Sequence, residues 1–178
     1  SFGTDEWEYT LDKSEKCGQL LRMFNAVSVR EDSAVDLCRI HFGVAAQHIL
    51  DPTMLLSPKD YMALVEATET SPITGSLLCY MLDETPEKIA FIEKVSKEKG
   101  LVPFRANSKV ENRLAPLSER IQPPVEQWLK GFCQAQFVIT DSFHACVFSI
   151  LFNKPWNDTF YFFAENVWLA KSINHLIR

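Results

Sequence analysis

Short apolar runs alternate along the chain with stretches of helical period. Ala26–Arg30 (AVSVR) puts Val27 and Val29 on one side, the two-residue repeat of a strand. Ser76–Leu82 (SLLCYML) and Phe137–Thr140 (FVIT) are apolar on both sides and read as strands that need cover on both faces. Gln47–Leu50 and Leu101–Phe104 are shorter strand candidates. Between them lie helical patterns. Residues 12–24 put Cys17, Leu20, Leu21 and Phe24 on one face. Asp32 or Ser33 can cap a helix that stops at Gly43. Ser57-Pro58 with Asp60, and Thr85-Pro86-Glu87, are helix starts with Pro in the first turn and acid beside it. Pro123-Pro124 opens another helix, with Val125, Trp128, Leu129 and Phe132 inward. Phe143–Phe152 follows an Asp141-Ser142 cap and is apolar on nearly every side, so it belongs in a core. A last helix is predicted from about Glu165. The alternation predicts an α/β protein with a Rossmann-like parallel sheet and helices on both faces.

Two stretches break the pattern. Glu66–Gly75 (EATETSPITG) is polar and reads as a linker and a candidate boundary. Residues 105–122 carry Arg105, Lys109, Arg113 and Arg120 with little periodicity, and are expected to form a mobile or partly ordered basic loop near a cleft.

Composition narrows the function. The chain has 178 residues, 47% hydrophobic and 23% charged, enough apolar material for a real core. A net charge of −5 argues against a general nucleic-acid partner, whose binding depends on Lys and Arg at phosphates. No apolar run approaches the ~20 residues of a membrane helix. Asp5, Glu6 and Glu8 stand where a secretory leader would be basic. Five widely spaced cysteines without a C-x-x-C argue against a zinc cluster or disulfide framework and fit a reducing cytoplasm, the expected location. His41, His48 and His175 lack metal-ligand spacing, and neither a P-loop nor GxGxxG occurs.

The candidate chemistry lies where strands end and helices begin. His144 follows the strand ending at Thr140, where a helix N-terminus favours an anion and an imidazole can donate a proton. A His bonded to a nearby carbonyl is the plainer reading. Arg30 ends the first strand and has the fork that grips carboxylate or phosphate; an ion pair to Glu31 or Asp32 is the alternative. Asp141 and Ser142 are first helix caps and second ligand contacts. Asp83-Glu84 occupies a like position and could meet a sugar hydroxyl or simply cap. Asp51 in D-P-T reads as a turn former.

Phe137–Pro155 (FVITDSFHACVFSILFNKP) resembles the C-terminal part of the polysaccharide pyruvyl transferase family: a strand, a Ser-Phe-His or Arg-Leu-His motif, an apolar helix and Lys-Pro. Ala26–Leu56 resembles a second family block, S-V-R-(D/E)-x-S, a helix to Phe-Gly, and a strand into D-P-T. Pro123–Phe132 is similar to the segment that leads into the His motif. The resemblance covers roughly residues 1–155. It implies a GT-B-like architecture of two Rossmann-like domains, with residues 1–56 ending the first and 57–178 forming the second. Further residues are expected after Trp156 in a family member. The resemblance also implies transfer of pyruvate from phosphoenolpyruvate to sugar hydroxyls as a ketal, with no metal or other cofactor. His144 would be catalytic, Arg30 and Ser142 would hold the donor, and Asp83 and Asp141 would line the cleft. Many members have Arg where this chain has Ser142, which keeps open a GT-B-like glycosyltransferase or sugar-nucleotide-binding domain.

Overall fold

The computed structural model of the protein describes residue 7 and residues 9–109 and 112–158. The helix expected from Glu165, the aromatic tail beyond Asp158 and His175 lie outside the described residues. The chain divides into two compact units between Leu55 and Leu56.

The first unit contains α1 (Leu11–Leu21), β1 (Ser28–Val29), α2 (Asp32–Phe42), β2 (Gln47–His48) and a 3₁₀ turn (Pro52–Leu55). β1 and β2 are parallel, with Ser28 opposite Gln47 and Val29 opposite His48. Cys38, Phe42 and Val44 form the core, joined by Trp7, Cys17, Leu21, Val27, Val29 and Ala46. Two expectations need correction. The buried positions of α1 are Ser14 and Gly18, while Leu20 and Phe24 are exposed. Gly18 lets the helices close up, since a Cβ there would lie 3.0 Å from the Phe42 carbonyl oxygen. The N-cap of α2 is Glu31, one residue before the expected Asp32. Gly43 then ends α2 at φ +62°, a conformation that favours glycine.

The second unit contains α3 (Pro58–Glu66), β3 (Leu77–Tyr80), α4 (Pro86–Lys99), β4 (Pro103–Phe104), α5 (Leu117–Arg120), α6 (Val125–Gln134), β5 (Phe137–Thr140), α7 (Phe143–Leu151) and β6 (Trp156–Asp158). Local chemistry sets the helix starts. Ser57 donates its N–H and its hydroxyl to Asp60 Oδ2 ahead of α3. Thr85 Oγ1 accepts the Lys88 N–H at the head of α4.

The four strands are parallel, in the order β4-β3-β5-β6. Leu77 and Cys79, with Ile139 of β5, pack beneath α4 around Val95, Phe91 and Ile92. Leu78 and Val138 face the other way, onto Tyr61, Leu129, Phe132, Ala145 and Phe148. Helices therefore cover both faces, as the two apolar strands demanded. Val125, expected inward, is exposed.

The Glu66–Gly75 stretch lies inside this unit and is not a boundary. Lys130 Nζ fastens it, 2.8 Å from Thr70 Oγ1 and 3.2 Å from the Ser71 carbonyl. The Lys-Pro of the C-terminal block is structural as well. Lys154 Nζ donates to the Cys133 carbonyl in the last turn of α6, where a cation is favoured. The Pro155 carbonyl accepts the Val138 N–H and starts the pairing of β6.

Candidate functional site

The order β4-β3-β5-β6 has a consequence for ligand binding. From β3 the chain steps outward to β4, then returns to the other side of β3 to lay down β5 and β6. The direction reverses between β3 and β5. In open parallel sheets such a reversal leaves a crevice at the carboxyl ends of the two strands, where ligands bind. The turns that flank it are residues 81–85 after β3 and residues 141–142 after β5.

Asp141 joins these turns. Its Oδ1 accepts the Leu82 N–H at 2.7 Å, and its Oδ2 accepts the Asp83 N–H at 3.1 Å. Lys88 Nζ lies 2.8 Å from the same Oδ2 and also donates to the Asp83 carbonyl at 2.8 Å. The Asp141 side chain is 1% exposed and that of Lys88 11%. Asp141 was expected to cap α7, but the cap is Ser142, whose Oγ accepts the Ala145 N–H at 3.5 Å. Thr140 adds a second link: its hydroxyl donates to the Tyr80 carbonyl at 2.7 Å and accepts the Ser142 N–H at 3.0 Å.

His144 is the second residue of α7 and is exposed, against Phe143 at 5.3 Å between ring centroids. The residues immediately behind it, Ala145 to Ser149, are buried, so its support is rigid. The positive end of the helix dipole lies beside the imidazole.

Asp83 presents an 80% exposed carboxylate on the facing turn, 3.8 Å from Lys88 Nζ. Next to it, Glu84 is ion-paired to Arg105, the first residue after β4. Burial pulls the Arg105 guanidinium below its ordinary value, opposed by Cys79 and Glu119. Hydrogen bonds and an ion pair tie described residues of the Arg105–Gln122 segment, in keeping with a partly ordered loop. Asn107 Nδ2 donates to the Met81 carbonyl, Lys109 pairs with Glu119 at 2.6 Å, and the Ser108 N–H reaches Gln122 Oε1. These contacts set its near end on the carboxyl side of the sheet.

Cys79 lies within β3 and is no nucleophile. Burial pushes its thiol up to about 12 despite the nearby Arg105 charge.

The first unit holds a separate charged site. Arg30 follows β1 directly, and Asp51 lies just past β2. Arg30 Nη1 meets Asp51 Oδ2 at 2.6 Å, so its carboxylate partner is neither Glu31 nor Asp32. The Thr53 N–H and hydroxyl both donate to Asp51 Oδ1, at 3.0 and 2.7 Å, which folds D-P-T into its turn. Burial raises the Asp51 carboxyl, but the Arg30 and Thr53 hydrogen bonds and the Arg30 charge outweigh it and leave it lowered. His48 Nε2 lies 3.0 Å from the Arg30 carbonyl.

The structure thus brings Asp83, Asp141, Ser142 and His144 to one crevice and places Arg30 in the other unit. Sequence reasoning missed Lys88. The one available signal was a lysine in the first turn of a helix, where a cation is disfavoured by the dipole and needs another reason to be there. Among the described residues no cluster of His, Cys, Asp and Glu could hold a metal, and no helix is long and apolar enough to cross a membrane.

The fold is a parallel α/β sheet whose order reverses between β3 and β5. The family model for polysaccharide pyruvyl transferase matches residues 8–157, so the chain belongs to that family of transferases. No match was found among curated proteins or solved structures.

Proposed function

We propose that the protein moves the pyruvyl group of phosphoenolpyruvate onto two hydroxyls of a sugar, forming a ketal during synthesis of a surface polysaccharide in the cytoplasm. The observation that carries this reading is His144: an exposed imidazole on a buried helix at the sheet's reversal point, inside a chain of this family.

The chemistry follows from the donor. An acid delivers a proton to the enol methylene, making it a methyl group. Positive charge develops at the central carbon, and the first sugar oxygen attacks it and loses its proton. Phosphate leaves with the C–O bonding pair, and the second hydroxyl closes the ketal and loses its proton. His144 is the proton donor in this scheme, or the group that holds the departing phosphate. The helix end favours the donor's negative charge. Arg30 is suited to the donor's carboxylate or phosphate, and Asp83 to a sugar hydroxyl. Ser142 and Asp141 support the site through the cap and the bonds across the turns. On this reading the chain belongs to a GT-B-like pair of Rossmann-like domains, and activity needs both. The scheme requires no metal.

Ser142, standing where many members of the family carry Arg, favours one competing reading: a GT-B-like enzyme that binds a sugar nucleotide. A thermal-shift titration of the full-length protein separates them. Phosphoenolpyruvate should stabilise it by about 2.7 kcal/mol at a hundredfold excess over Kd, with UDP- and GDP-sugars giving no shift. The reverse pattern overturns the proposal.

A further inference from the structure

We propose that Lys88 and Asp141 are positioning residues for the crevice, holding the turn after β3 and the first turn of α7 in one arrangement. The part concerning catalysis rests on the pyruvyl-transfer reading.

A buried carboxylate one residue past β5 accepts three hydrogen bonds, two from main-chain N–H groups of the β3–α4 turn and one from a buried ammonium. The ammonium also grips the Asp83 carbonyl, so it holds the same turn from its other side. Asp141 stands three residues before His144, and Asp83 stands between the bonds made by its own N–H and C=O. The pair thereby holds the backbone that carries Asp83 against the residue that leads into the first turn of α7, where His144 stands. Burying charge is costly, and an apolar pair would fill the space with less desolvation. A carboxylate paired with an ammonium can hold two backbone N–H groups and a carbonyl at once at this point, with charge-assisted hydrogen bonds.

The test uses three variants of the full-length protein: Lys88→Met, Lys88→Arg and the double Lys88→Met/Asp141→Leu. The double change removes both charges and should keep the fold where the single Lys88→Met leaves a buried carboxylate alone. The kinetic readout is kcat and KM for pyruvyl transfer from phosphoenolpyruvate, per folded molecule. The second readout is amide hydrogen exchange at Leu82, Asp83 and His144. The double variant should lose about a hundredfold in kcat, the cost of a small misplacement, with KM for the donor nearly unchanged. Lys88→Arg should recover most of the rate. Exchange at Leu82 and Asp83 should quicken by at least about tenfold in the double variant. Wild-type kcat per folded molecule in the double variant overturns the catalytic part, and unchanged exchange overturns the clamp. If the wild type transfers no pyruvate, the functional reading fails, and the exchange arm alone decides the clamp.

Discussion

Arg30 and Asp51 meet at 2.6 Å although 21 residues separate them. The contact ties the residue after β1 to the residue that opens the D-P-T turn after β2. It explains why S-V-R and D-P-T occur together: one supplies the cation, the other a carboxylate already oriented by Thr53.

Asp51→Asn should therefore destabilise the protein by about 1–3 kcal/mol, the cost of leaving a partly buried charged group without its counterpart. The change should also alter the acid limb. Asp51 sits below its ordinary value of 3.8 in the folded protein. A lowered carboxyl contributes stability above the unfolded value, and that contribution is lost as pH falls from about 4 through the lower native value. Urea titrations between pH 6 and 2.5 should show a shallower loss of stability in Asp51→Asn below about pH 4. An identical acid slope in both proteins would contradict the ion pair.

Thr140→Val keeps shape and removes the hydroxyl that bridges Tyr80 and Ser142. A buried N–H and a part-buried carbonyl lose a partner, so a cost of about 1–3 kcal/mol is expected. Because the Ser142 N–H starts the turn that leads to His144, kcat should fall further than KM rises. A variant with wild-type stability would show that the hydroxyl bridge contributes nothing.

Cys79 should resist alkylation. With its thiol near 12, only about one molecule in ten thousand is thiolate at pH 8. Peptide mapping after native treatment with iodoacetamide should find Cys79 unmodified, and denaturant should expose it. Native labelling at Cys79 would contradict its burial.

Helix starts were legible because their signals are local: Ser57-Pro58 with Asp60, and Thr85-Pro86, act within one turn. The strands at 77–80 and 137–140 were legible from unbroken apolar runs. The edge strands are shorter than their patterns, 28–29 against 26–30 and 103–104 against 101–104, because pairing needs a neighbour that a pattern does not contain. His144 was found because one turn holds strand end, cap and imidazole together. Asp141 was misjudged as a cap, since its partners Leu82, Asp83 and Lys88 lie 53 to 59 residues away. The Arg30–Asp51 pair was not legible for the same reason. Strand order made the crevice visible, and strand order is a property of the assembled sheet.

In the proposed reaction His144 takes part in transfer of pyruvate. The most direct test of this role is the rate of ketal formation from phosphoenolpyruvate by full-length His144→Ala, beside His41→Ala as a control in the first unit. His144 is exposed, so folding stability should stay within about 0.5 kcal/mol of wild type. The rate should fall at least about a hundredfold, the low end for loss of a general acid, while His41→Ala keeps its rate per folded molecule. A His144→Ala enzyme that turns over at the wild-type rate would contradict the account.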